Sequence, residues 1–450
     1  MADAKYDLKR KCMETEDSQP KKRRTDETTG LNNGTKITDV NQFCLEQIFI
    51  HLSLEDLLNV ADSNAYLKLG TGMPFVWNYA GKSVLIDQTG LIYYTKTKII
   101  TKTNGSAPNP LFCDKDITIV DLKTIFQMIR CFGGMITELE FRYYKRSKNN
   151  QFTNYHRIMS YIYEFCTESL KKASFDEALG FEGFKIPFKN IEDLTIKHLF
   201  GLKEKCLSRV FPNVNRLNLG FCIDDTFSFL SEYFTNLQHL EFNWNVPLSD
   251  SVTDILRLNS NLRSFKIGMD DFDVFKRISE RYLQSIESLD VEWIGVQKAS
   301  DSSIYLPNVK KFKYCYYERD VPASKIPFSF NHLEEFEIKY VSTVEIFLTF
   351  INENRTIEKL TFDRYAVLSM IGTGQLQNML PYLKDIIYFR SISDNIDELP
   401  LLLSHMEFLR SFAFFAGRTL DEQIRAACDG KWRMNRNNNI VTLERTEAMV

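Results

Sequence analysis

One short phrase, apolar-x-x-apolar-x-apolar, recurs down this chain and limits what it can fold into more than any other feature. The cleanest copies are Val214-Leu217-Leu219 and Leu237-Leu240-Phe242. Others read Leu262-Phe265-Ile267, Ile286-Leu289-Val291, Val309-Phe312-Tyr314, Leu333-Phe336-Ile338 and Ile357-Leu360-Phe362. The phrase extends upstream as Ile191-Leu194-Ile196 and Leu170-Ala173-Phe175, and downstream as Leu383-Ile386-Tyr388 and Leu409-Phe412-Phe414. Successive starts from Leu170 to Leu409 lie 21 to 26 residues apart.

The last two apolar positions of each phrase are two residues apart, so they point to one face of a short strand. A single such strand cannot bury that face. Stacked copies form a parallel sheet whose stability is a sum over neighbours. A period in this range is the mark of a solenoid of leucine-rich repeats. The expected fold class is therefore α/β, with parallel strands on the concave side and helices on the convex side. Val252-Ile255-Leu256 and Phe272-Phe275-Ile278 have helical spacing and would supply two of those helices. The competing reading, an ordinary α/β domain, does not hold a fixed period.

Side chains between and just beyond the apolar strand positions face the concave side. They include Arg216, Asn218, His239, Glu241, Asn243, Lys266, Asp290, Glu292, Lys311, Lys313, Glu335, Glu337, Lys339 and Asp363. Their charge alternates in strips: acidic near Asp290, basic near Lys311, acidic near Glu335. Repeat proteins of this kind often bind partners there, so this face is the expected protein-substrate surface. For any one residue, the competing reading is a solvated strand face with paired charges. Cys222 and Asn245 follow their strands, where they would hydrogen-bond turn backbone.

Residues 1–36 are polar and too poor in apolar groups to offset the entropy of ordering. They hold two basic clusters, Lys9-Arg10-Lys11 and Lys21-Lys22-Arg23-Arg24, separated by acidic and polar residues. The arrangement of Lys9, Arg10, Lys21, Lys22, Arg23 and Arg24 resembles a bipartite nuclear-localisation signal read by an importin. It implies a nuclear or nucleocytoplasmic protein. A solvated charge run is the alternative.

Residues 37–80 carry a second pattern. Leu45, Ile48, Phe49 and Leu52 fall at i, i+3, i+4 and i+7, one face of a helix. After Ser53, Glu55 and Asp56 suit the first turn of another helix, and Leu57, Leu58 and Ala61 continue an apolar stripe. The stretch Leu45-Glu46-Gln47-Ile48-Phe49-Ile50-His51-Leu52, then Asp56-Leu57 and Val60, resembles an F-box. Val40-Asn41 stands where that family usually has Leu-Pro, and Ala61 where it usually has Cys. The resemblance implies a helical hairpin that docks on a Skp-type adaptor and, through it, a cullin ubiquitin ligase. Leu45, Ile48, Phe49, Leu52, Asp56 and Leu57 would make that contact. Covering the open end of the repeat core is the other use for such a stripe.

Residues 81–135 connect the two parts. Ser83–Ile86 and Leu91–Tyr94 read as strands across a turn containing Gly90, residues 101–110 as a loop, and Leu122–Cys131 as a helix. The solenoid spans 136–416, opening with Ile136-Leu139-Phe141 and a helical insertion near 151–169. Residues 417–450 lose the period and read as a C-terminal cap, with Trp432 and a strand over Ile440–Leu443.

Composition fits this outline: 44% hydrophobic and 26% charged residues with a net charge of −3, so no global field points to nucleic acid or membrane. Nine cysteines, without a Cys-x-x-Cys pair, favour buried thiols in a reducing compartment. No histidine pairs at metal spacing and no phosphate-binding loop occurs, so no metal, cofactor or catalysis is expected. The basic-aromatic run Lys310 to Tyr317 suits single-stranded nucleic acid, the least favoured partner given its acidic flanks. Together these features imply a non-catalytic substrate receptor of an SCF-type ubiquitin ligase, with a repeat scaffold acting outside ubiquitylation as the alternative.

Overall fold

The structure is a computed structural model. It describes Leu45, Phe49, Leu52 and residues 54–63, 83–87, 90–95, 98–102, 122–142, 151–177, 181, 184–198, 207–221, 234–245, 250–269, 271–293, 303–316, 325–339, 344–363, 375–406, 408–437 and 439–446.

The described strands are β1 (Ser83–Asp87), β2 (Gly90–Thr95), β3 (Lys98–Lys102), β4 (Glu138–Arg142), β5 (Lys172–Glu177), β6 (Asp193–His198), β7 (Arg216–Phe221), β8 (His239–Asn245), β9 (Ser264–Met269) and β10 (Ser288–Trp293). They continue as β11 (Ile304–Tyr305), β12 (Lys311–Tyr316), β13 (Phe328–Ser329), β14 (Glu335–Lys339), β15 (Lys359–Phe362), β16 (Asp385–Ser391), β17 (Ser411–Phe415), β18 (Trp432–Asn437) and β19 (Ile440–Arg445). Seventeen of them form one sheet. From β4 to β17, skipping the short β11–β13 pair, each strand lies parallel to the next in chain order. The result is a solenoid-like α/β architecture with a large, mostly parallel sheet.

The repeating phrase sets the register. Leu194, Leu217, Leu240 and Phe265 pair in succession, then Leu289, Phe312, Phe336, Leu360, Ile386 and Phe412. Every apolar position of every phrase from Leu170 to Phe414 is buried. A slip of one residue would turn this whole set to solvent, which is why the register is so strongly specified. Backbone bonding repeats as well. The Glu192 carbonyl accepts from Asn215 and Arg216, and the Asn215 carbonyl from Gln238 and His239. The same forked bond recurs down to the Lys384 carbonyl, which accepts from Arg410 and Ser411.

Helices pack against the sheet where the spacing predicts them. Phe272–Tyr282 buries Phe272, Phe275 and Ile278, and Asp271 caps its start by accepting from Val274 N at 3.0 Å. Asp250–Leu258 buries Val252, Ile255 and Leu256. Gln151–Phe165 is the insertion between β4 and β5, and Leu122–Phe132 precedes β4.

The start of the sheet differs from expectation. β1 and β2 are not partners across Gly90. Instead β2 pairs antiparallel with β3, and β1 pairs parallel with both β3 and β4. β1 puts Val84 and Ile86 beside Leu139 and Phe141, so it extends the ladder. The β3 segment has adjacent isoleucines, Ile99 and Ile100, in place of the phrase, so nothing in the period announces it. At the other end β19 pairs antiparallel with β17, and β18 with β19, with Trp432 buried beneath. The hairpin removes the open edge that β17 would otherwise present.

Among the described glycines, Gly220 marks the tightest passage. A Cβ there would stand 2.1 Å from the Lys197 carbonyl oxygen of the neighbouring strand, so only glycine fits.

Candidate functional site

Two regions carry the expected function: the helical stretch before the sheet and the polar face of the strands. In the first, Leu45 and Phe49 are helical and 1% exposed, as is Leu57 in the helix Leu54–Ser63. Leu58 and Ala61 join the continuous core of the sheet. Leu52 is half-buried, Asp56 is exposed, and Ile48 lies outside the described residues. The chain itself therefore takes up Leu45, Phe49 and Leu57. A short helix must bury its apolar stripe, and of this one Leu58 and Ala61 do so against the core of the sheet, whose end needs a cover. On the opposite side of the helix Leu54–Ser63, Asp56 and Asn59 are exposed and Val60 is half-buried.

Polar contacts fix this helix to Leu122–Phe132. Asp62 accepts from Arg130 Nη2 at 2.8 Å on each carboxylate oxygen, from Gln127 Nε2 at 2.6 Å and from Cys131 Sγ at 3.4 Å. Burial alone would raise the Asp62 carboxyl. The bonds from Cys131, Arg130 and Gln127, with the Arg130 charge, bring it below its ordinary value.

On the strand face the alternating charges pair across the sheet. Lys266 Nζ donates to Glu241 at 2.7 Å and Asn243 at 2.9 Å, and lies 3.9 Å from Glu292. Asn218 joins them through Glu241 at 2.9 Å and Asn243 at 2.6 Å. Lys313 stands 3.2 Å from Asp290 and 3.6 Å from Glu337, and Glu337 takes Lys339 at 2.8 Å. Glu335 holds Lys311 at 2.5 Å and Lys359 at 3.4 Å. Burial raises the Asp290 carboxyl against the pull of Lys313 and Lys266. Burial would lower Lys313, but Asp290 and Glu337 hold it above its ordinary value.

This pairing follows from register. Opposite positions on parallel neighbours sit about 4.8 Å apart, so a sign that alternates from repeat to repeat makes a ladder of bridges. Arg216 is exposed, and no ion pair is formed by it among the described residues. His239 beside it is shifted down by burial and by the Arg216 charge. In the basic-aromatic run, Tyr314 is buried in the core, 3% exposed, and Lys310 pairs with Glu334 at 3.8 Å. Tyr314 is therefore unable to stack on a base, and Tyr317 lies outside the described residues.

The basic residues Lys9, Arg10, Lys21, Lys22, Arg23 and Arg24 lie outside the described residues. Among those described, no group of three or more His, Cys, Asp or Glu could hold a metal, and no helix is long and apolar enough to cross a membrane.

One structural element escaped the reading of the sequence. Asn259, three residues before Leu262, is 2% exposed. Its Oδ1 accepts from Leu237 N at 2.7 Å, and its Nδ2 donates to the Phe234 carbonyl at 2.7 Å and the Ile255 carbonyl at 2.8 Å. Asn354 holds the same position before Ile357 and donates to the Phe350 carbonyl at 2.8 Å. Most other repeats carry a buried apolar residue there, such as Phe211, Leu283 and Leu380. The signal was an Asn interrupting an otherwise apolar position.

No protein-family description matches the chain, and no curated protein matches its sequence. Among solved structures, the crystal structure of the Rad7 and Elc1 complex in yeast aligns with a TM-score of 0.32 at 9% identity, over 72% of this chain and 88% of that one. A likeness this low bears on neither fold nor function.

Proposed function

We propose that this chain is a non-catalytic substrate-recognition subunit of an SCF-type E3 ubiquitin ligase. The F-box-like helices would engage a Skp-type adaptor and, through it, a cullin. The leucine-rich-repeat face would hold a protein substrate near the conjugating enzyme. The reading rests on the F-box-like sequence at Leu45–Val60, joined through residues 81–135 to the repeats. The single observation that carries it is that sequence pattern; the clamp of Asp62 by Arg130, Gln127 and Cys131 joins its second helix to the helix before β4. The basic tail would bring the protein to the nucleus through an importin.

The second reading, a repeat scaffold outside ubiquitylation, is favoured by the burial of Leu45, Phe49 and Leu57 within the chain. The test is co-purification of the full chain with a Skp-type adaptor, beside Asp56→Arg and Asn59→Arg, whose side chains are exposed. Adaptor binding lost in these variants at unchanged melting temperature supports the ligase reading. A wild-type chain that does not bind the adaptor leaves the scaffold. Alanine at Lys21, Lys22, Arg23 and Arg24 should shift the protein to the cytoplasm; unchanged nuclear staining would remove the import signal.

A further inference from the structure

We draw no further inference here: the strongest candidate, the surface cluster of Arg216, His239 and Arg263 at the start of β7, β8 and β9, carries nothing, because acids on both flanks, Asp193 level with Arg216 and Glu287 beside Arg263, match its two arginines and nothing in the structure shows what covers it.

Discussion

Arg130 places one guanidinium nitrogen 2.8 Å from both carboxylate oxygens of Asp62, across 68 residues of chain. This contact ties the helix Leu54–Ser63 to the helix that leads into β4. Its side chains are 52% and 36% exposed, so its energy is that of a screened pair, about 0.5–1 kcal/mol. A double-mutant cycle with Asp62→Ala and Arg130→Ala should return a coupling in that range. The Asp62 carboxyl lies below its ordinary value of 3.8 in the folded chain. Its stabilisation is therefore present above that pH and lost as pH falls through the lowered folded value. Asp62→Asn should remove this part of the acid sensitivity, measured by denaturant melts between neutral and strongly acidic pH. An identical acid profile in the variant would show that the clamp is not coupled to protonation.

Phe49 and Asp56 should separate stability from binding. Phe49 is 1% exposed, and its truncation to alanine should cost about 3–5 kcal/mol wherever the helices are measured cooperatively with the sheet. Asp56→Ala should leave the melting temperature within about a degree or two of wild type, since exposed sites change stability little. Thermal melts of both, run beside adaptor binding, check the pair.

Asn259→Ala should cost about 2–4 kcal/mol, because it strips a partner from the buried Leu237 N–H and the Phe234 carbonyl at once. Restoring volume does not restore the bonds, so Asn259→Leu should remain clearly destabilised although Leu283 and Leu380 sit comfortably in that position elsewhere. Equal stability of Asn259→Leu and wild type by urea denaturation would mean the amide is a filler, not a bracket.

Lys313→Ala should leave Asp290 and Glu337 facing each other without their shared cation. The expected loss is about 1–3 kcal/mol near neutral pH. The sign with pH follows from Asp290, whose carboxyl burial already raises. Without Lys313 it rises further, so the loss should shrink as acid protonates it. A loss that grows toward low pH would contradict this account.

Gly220→Ala should destabilise more than an exposed glycine substitution does, because its Cβ would meet backbone of the adjacent strand, which cannot move aside without shifting β6. Gly134, with open space around it, is the control.

Much of the fold is legible in the sequence because the repeat is a local statement made many times over. Each phrase names the two side chains that turn inward, as Leu217 and Leu219 do, and the pairing Leu217 with Leu240 then follows from equal spacing. Helices such as Phe272–Tyr282 are legible for the same reason: Phe272, Phe275 and Ile278 mark one face and Asp271 the cap. The face residues from Arg216 to Glu337 are readable as a set, since alternation in a strand puts them opposite the core.

What the sequence by itself determined was this periodic scaffold and the residues on each of its sides, because both depend on spacing within a few residues. Only the tertiary structure decided three things that depend on distant neighbours. It put Leu45, Phe49 and Leu57 inside, since the chain's own packing took the stripe that a partner was expected to cover. It turned the charged strips into bridges, because only the register sets Asp290, Lys313 and Glu337 side by side. And it joined Phe389, Phe415 and Ile440 into one row through an antiparallel strand that lies outside the period.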